Sequence, residues 1–296
     1  MAKKLKVGFI GLGLMGKPMA GNLLKKGFSV SGYNRSKQSL QELEKKGLKI
    51  AKNPKEVAEQ SEAIILMLPS VKDSVKIIYQ KSGLIEGLIK GKIVLDMSTS
   101  NPEETIKLGK RLRKKGVHLL DAPVSRGQRA AVKGDLSVMV GGEKRLFEKC
   151  LPIFKAVGTK IYYLGPLGSG LYVKALNNFT YAMNLVSATQ GVKMLKQKGI
   201  DLKKAVQVIA NSSGDNQALS MSINRNLGKA HPKINFYLKY MKKDVGIFND
   251  VMKTQKVDHL FASEVSNFFK KMAKQYGEED AMYIFEYLIL QNKKVK

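Results

Sequence analysis

Over its first half the chain alternates short apolar runs with segments of helical period. Residues 6–10, 29–33, 48–51, 63–68, 92–97, 117–122, 136–140 and 160–164 read as strands. The run Ala63-Ile-Ile-Leu-Met-Leu68 is continuously apolar, and 6–10 reads as a short buried strand. Between them, helices are expected at 17–26, near 37–46, from Asn53-Pro54 and at 101–115. Asn53-Pro54 and Asn101-Pro102 each place a capping residue before a proline at the first helical position, and Gly27 closes the first helix. This order predicts an α/β fold with a mostly parallel, doubly wound sheet of Rossmann type over residues 1–164.

The pattern changes after the turn Gly165-Pro-Leu-Gly168. Residues 170–198 hold no proline and predict one helix, roughly 40 Å long at ~1.5 Å per residue. Leu171, Val173, Leu176, Phe179, Met183, Leu185 and Val186 lie on every side of it, so burial all round is expected. Beyond it only helical periods follow, at 202–210, 245–252 and 265–272, so 165–296 reads as a long helix plus an all-α domain for substrate and oligomer contacts. Lys174, Asn177, Asn178, Asn184 and Gln190 interrupt the apolar run and argue against a membrane span. Lys174 and Asn178, four residues apart, share one helical face, with Gly170 one turn before them. A lysine and an amide pointing the same way from an apolar helix are candidates for chemistry.

The glycines of Gly11-Leu12-Gly13-Leu14-Met15-Gly16 follow the first strand and open the first helix, and a second strand arrives on time. In such a βαβ unit one glycine permits the tight turn, one lets backbone approach a pyrophosphate and one lets helix pack on strand. The helix N-terminus then offers N–H groups to the phosphates. The second strand ends in Asn34-Arg35-Ser36, without the acid that would bond the ribose hydroxyls of NAD. Arg35 suits a 2′-phosphate, so NADP is favoured over NAD. Leu68-Pro69 and Ser98-Thr99 close further strands at the end of the sheet where ligands bind.

Composition narrows the picture. The formal net charge of +28 raises a polyanion partner, but lysine greatly outnumbers arginine and is spread in pairs such as Lys25-Lys26 and Lys114-Lys115. A solvated lysine-rich surface therefore fits better than a nucleic-acid site, and attraction of anionic substrates is a by-product. One cysteine, Cys150, and three scattered histidines give neither an internal disulfide nor a metal-ligand spacing. The lysine-rich opening lacks a signal peptide's apolar region, so a cytoplasmic protein is expected.

With Asp121-Ala-Pro-Val-Ser125, Gly134-Asp-Leu, Met139-Val-Gly-Gly142, the Lys174/Asn178 pair and Lys243-Asp244, the glycine loop makes an ordered set along the whole chain. The set resembles the β-hydroxyacid dehydrogenase family, which includes 3-hydroxyisobutyrate dehydrogenase, tartronate semialdehyde reductase and glyoxylate/succinic semialdehyde reductase. The resemblance implies an NADPH-dependent reductase of small anionic aldehyde acids such as glyoxylate or succinic semialdehyde. 3-Hydroxyisobutyrate and tartronate semialdehyde are alternatives, and a non-catalytic nucleic-acid module is the rival of another class. It implies Lys174 as proton donor, Asn178 as the orienting amide, and Ser125 and Gly127 as carboxylate anchor. Thr99 would lie beside nicotinamide and substrate, Lys243 would touch the cofactor, and Phe236 and Asp244 would line the substrate pocket. Homodimers or homotetramers are implied as well. Arg126 departs from the family's Gly-Gly after Val-Ser, and it either recognises a second substrate acid group or points to solvent. The lysine at 174 argues against imine reductases, and the chain is too short for the helical domain of 6-phosphogluconate dehydrogenases.

Overall fold

The computed structural model describes residues 4–223 and 234–282, leaving out the side chains of 221–223. The first three residues and the last fourteen, the latter expected to be helical, lie outside the described residues. The chain divides into two compact units, Met1–Lys174 and Ala175–Lys296.

The first unit is an α/β fold built on a nine-stranded sheet among the described residues. Its strands are β1 (Val7–Ile10), β2 (Val30–Tyr33), β3 (Lys49–Ile50), β4 (Ala63–Leu66), β5 (Ile93–Asp96), β6 (His118–Asp121), β7 (Val124–Ser125), β8 (Leu136–Gly141) and β9 (Gly158–Gly165). The order is β3-β2-β1-β4-β5-β6-β8-β7, with β9 also paired to β8. From β3 through β6 every pairing is parallel, in registers such as Gly8 beside Ser31 and Ile64. The sheet then reverses, since β8 runs antiparallel to both β6 and β7.

The continuous apolar runs are explained by burial on both faces. In β4, Ala63 and Ile65 join one core cluster while Ile64 and Leu66 join the opposite one. On the first face lie α1 (Gly16–Lys25), α2 (Lys37–Glu44), α7 (Gly127–Lys133) and α8 (Lys144–Val157), through Met19, Leu23, Leu43, Ala131 and Phe154. On the second lie α3 (Pro54–Glu59), α4 (Val71–Tyr79), α5 (Leu84–Gly87) and α6 (Pro102–Arg113), through Val57, Ile78, Leu84 and Leu112. The expected caps form, with Asn53 accepting from the Glu56 N–H and Asn101 from those of Glu103 and Glu104. Sequence pattern alone did not resolve α4, α7 and α8. The first is capped by Ser70, and the last contains Pro152.

The helix α9 (Ser169–Gln197) starts in the first unit and passes into the second. It is not buried all round. Val173, Leu176 and Met194 are exposed at 42%, 52% and 51%. They share a stripe with Asn177, Thr180, Ser187 and Gln190, which are also exposed. Because those polar residues carry no charge, the run reads as apolar although the helix is two-sided. Within the second unit its other side, through Ala182, Leu185, Ala188 and Val192, packs in one core. That core also takes Val206 of α10 (Leu202–Ala210), Met241 and Val245 of α11 (Leu238–Thr254), and Phe269 and Met272 of α12 (Leu260–Tyr276). The second unit's described residues are helical apart from turns, a π-helical segment at Ala218–Ile223 and one bridge between Tyr237 and Asp280.

Candidate active site

The glycine loop leaves β1 and enters α1 under tight steric control. Gly11 has φ +97, and a Cβ there would stand 2.2 Å from the Met67 carbonyl oxygen. A Cβ on Gly16 would lie 1.8 Å from the Gly11 carbonyl oxygen, so α1 can approach the loop only with glycine there. Gly13 differs, because nothing lies within 4 Å of a Cβ built on it. The fold does not need glycine at 13, whereas a ligand lying against that backbone would. The first turn of α1 carries no acidic residue, and no side chain caps it. Its N–H groups and the positive end of the helix therefore suit a phosphate. Leu14 and Met15 are half-buried beside this turn, and Leu12 is fully buried.

Asn34 fastens the end of β2 to this loop. Its Oδ1 accepts the Leu12 N–H at 3.0 Å, and its Nδ2 donates to the Ser36 carbonyl at 3.1 Å. Arg35 and Ser36 are exposed, and the Ser36 hydroxyl does not cap α2. The next two strand ends are tied together, since the Leu68 N–H donates to the Ser98 hydroxyl at 2.9 Å. Asp96 accepts the Ser98 N–H at 3.0 Å, which fixes the turn carrying half-buried Thr99. Pro69 follows Leu68 and is exposed. The predicted cofactor residues thus gather at the carboxyl ends of β1, β2, β4 and β5. Their backbone donors at the strand ends and at the helix N-terminus fit a dinucleotide.

Ser125 ends β7, paired to Ser137 of β8. The next two residues adopt left-handed backbone, Arg126 at φ 88 and Gly127 at φ 69. That conformation favours glycine, so Arg126 is held in a backbone that side chains rarely adopt. The Arg126 side chain is exposed and paired, its guanidinium donating to the Asp135 carboxylate at 2.5 Å and carbonyl at 2.9 Å. The Thr159 hydroxyl also donates to Asp135, and together with Arg126 it holds that acid below the usual carboxylate range.

Asp121 has a part that sequence reasoning missed. It is fully buried at the end of β6. Its Oδ1 accepts the Gly168 N–H at 2.7 Å, and its Oδ2 accepts the Leu171 N–H at 2.9 Å. Burial pushes its pKa up to about 6 against the lowering effect of those two bonds. The Tyr172 hydroxyl donates to Glu103 of α6, a second tie on the first turn of α9. Lys174 follows in the next turn and is buried, with 6% of its surface exposed.

In the second unit the structure brings together Asn178, Asp244 and Lys243. The Asn178 amide donates to Asp244 Oδ2 at 2.6 Å, and the Lys243 ammonium stands 3.1 Å from Asp244 Oδ1. Asp244 is buried at 2% exposure. Phe236 lies before α11, where its N–H donates to Asp280 and its ring tilts toward Tyr240. Asp280 also accepts the Asn235 and Met282 N–H groups, and the motif reading gave it no part.

Residues 6–165 match the family model for the NAD binding domain of 6-phosphogluconate dehydrogenase. Residues 168–288 match that for the NAD-binding domain of NADP-dependent 3-hydroxyisobutyrate dehydrogenase. Mouse mitochondrial 3-hydroxyisobutyrate dehydrogenase is 33% identical over 97% of this chain and 88% of its own. The chain belongs to the β-hydroxyacid dehydrogenase family. Another member, 2-(hydroxymethyl)glutarate dehydrogenase of Eubacterium barkeri, is 32% identical over 83% of this chain and 82% of its own. The solved structure of Mycobacterium tuberculosis 3-hydroxyisobutyrate dehydrogenase with L-serine shares the fold. Its TM-score is 0.88 at 22% identity, covering 97% of this chain and 99% of that one. As a β-hydroxyacid dehydrogenase, the protein is an NAD(P)-dependent oxidoreductase acting on a small hydroxyacid. Among the described residues no helix is long and apolar enough to cross a membrane, and no cluster of acids, histidines and cysteine could hold a metal ion.

Proposed function

We propose that this β-hydroxyacid dehydrogenase is an NADPH-dependent reductase of small aldehyde acids of the glyoxylate and succinic semialdehyde class, working in either direction. The observation that carries the reading is a buried lysine, Lys174, on the first turns of a helix whose start is locked to the sheet. An amine held in that place can give up a proton and take it back, which is the part of a general acid and base. In reduction Lys174 gives that proton to the substrate carbonyl oxygen, and in oxidation it takes the proton back. When bound, the nicotinamide supplies or accepts the hydride.

The other residues bind and orient. The loop Gly11–Gly16 and the first turn of α1 would hold the pyrophosphate, and Leu68, Pro69 and Thr99 would hold the nicotinamide half. Asn34 and Ser36 would hold the adenosine ribose, and Arg35 would bind a 2′-phosphate. Lys243 would serve as a further cofactor contact. Ser125 and the Gly127 N–H anchor the substrate carboxylate. Asn178 orients the substrate or the lysine, with Phe236 and Asp244 on the substrate side. The single buried thiol, Cys150, pushed by burial up to about 12, suits a cytoplasmic protein, and a homodimer or homotetramer is expected.

A second reading, 3-hydroxyisobutyrate dehydrogenase, has equal support from the identity to the mouse enzyme. One panel separates them: glyoxylate, succinic semialdehyde, tartronate semialdehyde and methylmalonate semialdehyde, each with NADPH and with NADH, followed by nicotinamide absorbance. The proposal expects the highest kcat/KM for glyoxylate or succinic semialdehyde with NADPH. Preference for methylmalonate semialdehyde, or for NADH, would overturn it.

A further inference from the structure

Nothing in the proposed chemistry uses Asp121, yet each of its two oxygens is held by a backbone N–H. We propose that Asp121 is the positioning residue for Lys174: by closing on the first turn of α9 it sets where the lysine amine stands. The inference rests on the reading of Lys174 as proton donor. Asp121 itself touches no substrate, because both its oxygens are taken by backbone donors and its surface is fully covered.

The first N–H groups of a helix have no partner within it. In α9 two such donors around the helix start, Gly168 and Leu171, are met by one carboxylate from the end of β6. The approach is interlocked with the neighbouring strand. A Cβ on Gly170 would lie 2.2 Å from the Met139 carbonyl oxygen and 2.8 Å from Asp121 Oδ2. A Cβ on Gly141 would lie 2.4 Å from Asp121 Oδ1 and 2.8 Å from the Pro166 carbonyl oxygen. Two glycines therefore let β8, the carboxylate and the helix start come within contact distance. Lys174 is three residues beyond Leu171 and one turn beyond Gly170, on the same face. A shift of that turn moves the amine with it, and a misplacement of about 1 Å can cost on the order of 100-fold in rate.

Two variants disturb the clamp from opposite sides. Asp121→Asn keeps the shape but sets an amide N–H₂ against one of the two backbone donors. Gly170→Ala keeps the carboxylate and pushes the turn away. Both are measured for kcat, KM, NADPH Kd, Tm and the amide ¹H–¹⁵N shifts of Gly168 and Leu171. Asn53→Ala, which removes the cap of α3, serves as a control for lost stability alone. The expected result is a fall in kcat of about 30-fold or more in both clamp variants, with KM and NADPH Kd within about twofold, and unchanged kcat in Asn53→Ala. Should one clamp variant fail to fold, the other carries the test.

Wild-type kcat in a folded clamp variant whose Gly168 and Leu171 shifts have moved would overturn the inference while leaving Lys174 in place. So would a fall in kcat matched by the control at equal loss of Tm. Wild-type protein that reduces none of the aldehyde acids with either cofactor would instead end the reading of Lys174, and this inference with it.

Discussion

The two units hold their site residues by different means. In the first, the loop, the strand ends and the start of α9 are fixed through backbone groups: Leu12 N–H to Asn34, Leu68 N–H to Ser98, and Gly168 and Leu171 N–H to Asp121. Glycine appears where two backbones must meet, as at 11 and 16. In the second, Phe236 is also held through its N–H, to Asp280, but Asn178, Asp244 and Lys243 are held by one another's side chains. A backbone-built half cannot be altered without moving the chain. A side-chain-built half can lose its chemistry and keep its fold.

That contrast breaks first at the glycine loop. Gly16→Ala puts a Cβ 1.8 Å from a backbone oxygen, and it should lose NADPH binding by at least about 100-fold together with a lower Tm. Gly13→Ala, with nothing within 4 Å, should leave Tm unchanged and weaken only the cofactor. Calorimetry beside NADPH titration checks both. Equal loss of Tm in the two variants would deny that Gly13 is reserved for a ligand.

The second half is sharpened by Asp244→Ala. It strips the Asn178 amide and the Lys243 ammonium of their shared acceptor, and kcat/KM should fall about 10- to 100-fold with a Tm lower by only a few degrees. A large loss of Tm with kcat/KM intact would reverse the comparison. Arg35→Asp comes next. Replacing a charge-assisted bond by repulsion should swing the NADPH to NADH ratio of kcat/KM by about 10- to 100-fold. An unchanged ratio would remove Arg35 from phosphate recognition.

The smallest effect is a pH dependence. Asp121 titrates near 6 in the folded protein against an ordinary 3.8, because it is buried and Asp96 adds like charge nearby. A raised folded pKa means that the native state binds the proton more tightly. The stability it contributes is therefore complete below about pH 4 and lost as pH rises to about 6. Urea unfolding from pH 4 to 7 should show wild type losing stability relative to Asp121→Asn across that window. A flat difference would contradict it.

Reading the chain alone reached the first half further than the second. The alternation of strands and helices is a local pattern, and so is the need for glycine at 11 and 16. The part of Asp121 depends on partners 47 and 50 residues away, which no local spacing reveals. The tie between Asn178 and Asp244 spans 66 residues; helical spacing pointed to Asn178, and only the resemblance to the family pointed to Asp244. At Arg126 the residues showed a departure from the family, but its left-handed backbone and its Asp135 partner needed the fold. The exposed stripe of α9 was hidden because Asn177, Thr180, Ser187 and Gln190 are polar without charge. The sheet's reversal at β8 was likewise invisible, since a strand's direction is not written in its apolar pattern.

The account stands most directly on the turnover of Lys174→Ala at saturating NADPH, measured without and with added ethylammonium. It predicts a kcat lower by about 100-fold or more with NADPH Kd unchanged, and a rate that climbs with ethylammonium as the free amine replaces the missing one. A Lys174→Ala enzyme that turns over at the wild-type rate with no amine added would contradict it.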